Sequence, residues 1–143
     1  MNTFAIIIAG SRDYNNYDQL KHISSALISL QADSNDDITI ISGGARGADM
    51  LGERFALDNN YKIVRKNADW DKWGKSAGYR RNCDMAIEAK KYDKCLCLAY
   101  SLNNSKGTNH MINICGKYGV PCIKIEEDID SPTGIRLTES VKK

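Results

Sequence analysis

The run Phe4-Ala5-Ile6-Ile7-Ile8-Ala9 is apolar without a break and stops at Gly10. A strand with one wet face alternates apolar and polar residues, so an unbroken run of this length reads as a strand covered on both faces. Such strands belong to parallel sheets flanked by helices, and the rest of the chain supplies the partners. Leu20, Ile23, Leu27 and Leu30 fall at helical spacing over about residues 16–30. Residues 37–42 form a second buried strand, and a helix follows over about residues 48–59 with Leu51 and Phe55 on one face. Residues 61–65 read as a third, shorter strand, and residues 67–78 as a polar loop. A helix is then predicted over about residues 79–91 and a fourth strand over 93–99. The loop at 103–108 opens a helix to about Tyr118, and Gly119-Val120-Pro121 turns into a fifth strand through Ile125.

Strands separated by helices must run parallel, with crossovers that lay helices on both faces. The expected fold is therefore α/β, a single doubly wound parallel sheet in the order 3-2-1-4-5. The domain spans residues 1–126, and residues 127–143 form a C-terminal tail, packed or frayed. In that order the sheet reverses between strands 1 and 4, where ligands bind beyond the carboxyl ends of the strands. The loops after strands 1, 2 and 4 line that crevice.

Composition narrows the function classes. With 42% hydrophobic residues in 143, the chain can bury one proper core. Twenty Lys and Arg face 18 Asp and Glu, a formal net charge of +2, which argues against a protein that coats nucleic acid. No apolar run approaches the ~20 residues of a membrane span. The start shows neither a basic lead nor a cleavage site, so the cytoplasm is the expected location. The five cysteines contain no C-x-x-C pair and read as reduced, buried hydrophobes; no metal ligand set is predicted. The abundance of Asn, Lys and Ile hints at an AT-rich genome, such as that of a phage.

The chemistry sits in the strand-to-helix loops. Gly10-Ser11-Arg12 offers a sharp turn, a hydroxyl and a planar five-donor cation suited to phosphate. Gly43-Gly44-Ala45-Arg46-Gly47 holds three glycines between a buried strand and a helix, so backbone amides can approach an anion at the positive helix end. It is neither G-x-G-x-x-G nor a P-loop, since no G-K-[ST] follows. Asp49 serves either as a first-turn dipole partner or as a ligand contact, and Glu53 faces either the crevice or solvent. Lys106-Gly107-Thr108 offers amides and a hydroxyl at a helix start, although Thr is also a good N-cap. Asp69-Trp70 and Arg81-Asn82 flank the long loop, where Trp70 can stack on a base or pack as a lid and Arg81 can pair with phosphate. His22 and His110 stand isolated and read as core or surface residues.

Taken in order, Gly10-Ser11-Arg12, the segment from Ser42 to Asp49 with Gly52-Glu53, Asp69-Trp70, Ala77-Gly78 with Arg81-Asn82, and Gly107-Thr108 resemble the SLOG superfamily. That group is named for its DNA-processing Smf/DprA and LOG-type members. The likeness covers roughly residues 4–125 and is greatest to the small, stand-alone YspA-like branch. It implies a Rossmann-like fold and a nucleotide or nucleotide-derived ligand, including ADP-ribose relatives, bound by a sensor, carrier or sequestering protein. The alternative is an enzyme that cleaves an N-glycosidic or phosphate bond. LOG enzymes carry a G-T-x-x-E signature whose acidic residue is catalytic, and here Met111 occupies that place. A thioether accepts no proton, so LOG-type hydrolysis is not expected unless Glu53 or Asp49 substitutes. The expected partner is a small-molecule nucleotide, with no further cofactor, with nucleic acid and membrane disfavoured and with a homo-oligomer left open.

Overall fold

The computed structural model describes residues 1–140. Six strands form one sheet in the order β3-β2-β1-β4-β5-β6. The strands are β1 (Thr3–Gly10), β2 (Asp37–Ser42), β3 (Lys62–Arg65), β4 (Lys94–Ser101), β5 (Cys122–Glu127) and β6 (Ile135–Ser140). The helices are α1 (Tyr17–Ser29), α2 (Ala48–Asp58), α3 (Trp70–Trp73), α4 (Ala77–Ala89) and α5 (Lys106–Tyr118). The first five strands are parallel, as the unbroken apolar runs require, and the sheet is Rossmann-like with its reversal at β1.

The period of two along β1 divides the core into two layers. Phe4, Ile6 and Ile8 pack with Leu20 of α1 and Phe55 of α2. Ala5, Ile7 and Ala9 pack with Met85 of α4 and Met111 and Cys115 of α5. Ile6, Ile7 and Ile8 are fully buried, each worth about 1.5–3 kcal/mol in burial. The second layer is built on small side chains, Ala5, Ala9, Cys97 and Ala99, which lets α4 and α5 approach the sheet closely. In that layer the Sγ atoms of Cys97, Cys115 and Cys122 lie within 4.8 Å of one another. Tyr100 closes the other layer: its hydroxyl meets Ser24 Oγ at 2.5 Å and donates to Leu20 O at 3.3 Å.

The structure departs from the sequence reading in two places. The five-strand order gains a sixth member, because residues read as tail pair antiparallel with β5. The chain turns through residues 128–134 on hydrogen bonds closed by Gly134, and Arg136 then pairs with Glu126 at 3.1 Å. Positions 141–143 of that tail lie outside the described residues. The loop at 67–78 also holds regular structure: α3 is capped by Asp69, which accepts the Lys72 amide at 3.1 Å, and a 3-10 turn runs from Gly74 to Ser76. Among the described residues, no helix is long and apolar enough to cross a membrane.

Candidate functional site

The crevice is assembled where β1, β2 and β4 end. At Gly10 a Cβ would stand 2.1 Å from the Tyr100 carbonyl oxygen, so only glycine lets the Ser11 amide donate to that oxygen at 3.0 Å. Ser11 is buried, and its hydroxyl accepts the Leu102 amide at 2.8 Å while donating to the Leu102 carbonyl at 3.2 Å. Thr108 Oγ1 lies 3.5 Å from the same hydroxyl. The loop after β1 is thus stitched to the loop after β4. Thr108 is buried at the start of α5, where Ser105 caps its amide.

The glycine-rich loop after β2 is held from within. Ser42 Oγ donates to Glu53 Oε2 at 2.7 Å and accepts the Gly44 amide at 3.0 Å. Asp49 Oδ2 accepts the Ala45 amide at 3.3 Å. Two of the amides that the sequence offered to an anion are therefore already bonded, and cationic side chains become the main attraction for negative charge. Arg65 forks onto Glu53, Nε at 2.8 Å and Nη2 at 2.5 Å. Burial raises the Glu53 carboxyl, but Arg65 and Ser42 outweigh it and hold the group below its ordinary value. Glu53 is a strut beneath the loop and lines neither compartment of the crevice.

Helix α4 supplies the opposite wall. Arg81 Nη1 donates to the Gly43 carbonyl at 2.6 Å and lies 4.0 Å from Asp49 Oδ2, while its Nε donates to Asn82 Oδ1 at 3.2 Å. Asn82 Nδ2 donates in turn to His110 Nδ1 at 3.0 Å, and the His110 ring lies 4.2 Å from that of Tyr79. Burial lowers the His110 pKa, which suits its accepting role. Asp49 is 4% exposed, and burial pushes its carboxyl up to about 6 against the opposing pull of Arg81 and the Ala45 amide.

These walls enclose two adjoining compartments. The larger, about 540 Å³, has a floor of Ala9, Met85 and Met111. Its rim carries Arg12, Arg46, Lys75 and Arg81 against the carboxylates of Asp13 and Asp49. The smaller, about 350 Å³, lies toward β3 between the 43–45 backbone and Asn67. The Arg12 guanidinium sits 5.6 Å from the Trp70 ring, at the junction.

Most of the sequence candidates meet here. Gly10, Ser11, Asp49, Asn82, Gly107 and Thr108 line the larger compartment, and Gly43 and Gly44 the smaller. Arg12, Ala45, Arg46, Trp70 and Arg81 line both. Gly47, Glu53 and Asp69 do not: Gly47 caps α2, Glu53 braces the loop and Asp69 caps α3. Tyr79, Lys75 and Asn67 join the site without having been singled out. Tyr79 was detectable, since it stands three residues from Asn82 on one helix face. The Arg46 side chain is 74% exposed and pairs with Asp13 at 3.5 Å. Arg46→Ala is expected to leave the melting temperature nearly unchanged, as for an exposed surface residue, and a thermal melt checks this.

A family model described as "YspA, cpYpsA-related SLOG family" matches residues 4–73, from β1 through α3, and so includes the loops after β1 and β2. The "Gene 61 protein" of Mycobacterium phage D29 is 34% identical over 91 residues, covering 60% of this chain and 70% of that one. With its Rossmann-like sheet and its ordered loop residues, the chain belongs to the SLOG superfamily, in the family related to YspA and cpYpsA.

Proposed function

We propose that the crevice binds a nucleotide or nucleotide-derived ligand, ADP-ribose-like or a nucleoside phosphate, and that the protein acts as a sensor, carrier or sequestering protein. Membership in the SLOG superfamily points to a nucleotide-related ligand, bound or processed. The observation that carries the reading is the crevice at the sheet's reversal, where four cations face two carboxylates over an apolar floor with Trp70 and Tyr79 at its sides. Cations suit phosphate, and the floor and rings suit a base and sugar. A ligand that binds only the native state raises the melting temperature. A panel of nucleoside phosphates and linear and cyclic ADP-ribose compounds is expected to include such a ligand. No shift from any of them at millimolar concentration overturns the proposal. Native mass spectrometry of freshly purified protein identifies a ligand that co-purifies.

One observation favours a second reading, turnover. Asp49 lines the larger compartment with a carboxyl pushed up to about 6, the range of a general acid or base. Against it, Met111, which holds the glutamate's position in the LOG-type signature, forms part of the floor, and Glu53 is tied to Arg65. Adenosine monophosphate is therefore expected to release no adenine at LOG-like rates. A missing stabilising group of this kind typically costs hundreds-fold, about 3–4 kcal/mol in the barrier. Release should be assayed for wild type, Asp49→Asn, Glu53→Gln and Met111→Glu. Robust wild-type release that disappears in Asp49→Asn would promote the enzyme.

A further inference from the structure

The two compartments differ in chemistry. The larger combines apolar floor, aromatic sides and charges of both signs. The lining of the smaller contains three guanidinium groups, Arg12, Arg46 and Arg81, with Asn67 and backbone, and no acidic side chain. Arg81 is fixed there, its side chain 11% exposed and bonded to Gly43 O. The Arg46 side chain is 74% exposed and paired with the similarly exposed Asp13 at 3.5 Å, a solvated contact that a guest's phosphate would replace. Three planar donors around one space match a tetrahedral dianion with several acceptor oxygens.

We infer that the smaller compartment is a separate phosphate subsite, and that the ligand is an elongated one. Its nucleoside end occupies the larger compartment, and its outer phosphate passes Trp70 into the smaller. This rests on the crevice being the nucleotide site, and adds that length beyond a monophosphate is recognised. Asn67 is exposed on the smaller compartment alone, so Asn67→Asp places a carboxylate among the arginines without altering size.

Calorimetry with pyrophosphate, and with the nucleosides, monophosphates and diphosphates of the four common bases, tests the assignment on wild type and Asn67→Asp. For the preferred base, the diphosphate is expected to bind wild type at least tenfold more tightly than the monophosphate. Asn67→Asp should lower the affinity for the diphosphate and for pyrophosphate at least tenfold, and leave that for the nucleoside within twofold. Equal affinity for mono- and diphosphate, or diphosphate binding indifferent to Asn67→Asp, overturns the subsite while leaving the nucleotide site intact. Pyrophosphate bound and lost in the variant, with no nucleoside or nucleotide bound, supports the phosphate subsite and removes the nucleotide reading. No binding of any probe overturns both.

Discussion

Gly47→Ala is expected to cost at least about 4 kcal/mol, the upper range for a single substitution, or to prevent folding. Gly47 caps α2 at φ +84°, a conformation that L side chains rarely adopt. A Cβ there would stand 2.3 Å from Ser11 O and 2.5 Å from Arg12 O. Both neighbours are backbone, so no side chain can rotate to make room. Ser11 is also stitched to the loop after β4, so the strain would spread across the crevice. Urea unfolding reads the loss directly. A stability within about 1 kcal/mol of wild type would mean that the two loops separate freely.

Arg81→Met is expected to destabilise the protein by about 3–5 kcal/mol at pH 7.5, the usual result of removing one partner of a buried pair. The effect should shrink markedly at pH 5. Asp49 explains the difference. Burial pushes its folded-state pKa up to about 6, from 3.8. Such a group adds stability below its unfolded pKa and loses it as pH rises through the folded value. In wild type this amounts to about 3 kcal/mol lost between roughly pH 4 and pH 6. Without Arg81 the carboxylate is worse off still, but at pH 5 it is mostly protonated and needs no cation. Asp49→Asn in the Arg81→Met background should therefore recover most of the loss at pH 7.5. Equal losses at both pH values would show that Arg81 acts through the Gly43 carbonyl instead.

The strand order was legible because β1 carries no polar residue between Phe4 and Ala9, which only a doubly covered parallel strand tolerates. The convergence of loops 10–12, 43–46 and 107–108 followed from that order. The sixth strand was hidden because Ile135 and Leu137 are its only apolar residues, and the link from Arg136 to Glu126 is a cross-strand ion pair at the sheet edge. The role of Glu53 was hidden for another reason. Its neighbour Arg65 is set by the register of Ser42 against Arg65, and sequence spacing carries no cross-strand register. Likewise His110 reads as solitary, because Tyr79 and Asn82 reach it from a different helix. The glycine loop suggested an open cradle of amides, and only the fold reveals that Ser42 and Asp49 occupy two of them.

The antiparallel course of β6 has a practical side. Had the chain stopped pairing at Glu127, its later residues would leave the sheet at the end where the crevice opens. Instead β6 runs back, away from the mouth of the crevice, until Ser140 stands beside Cys122, which is level with Cys97 and, through it, with Ile7 midway along β1. β1 itself starts at the far end of the sheet, so a bead, sensor chip or fused protein joined ahead of Thr3 would be anchored behind the domain, with the mouth of the crevice unobstructed.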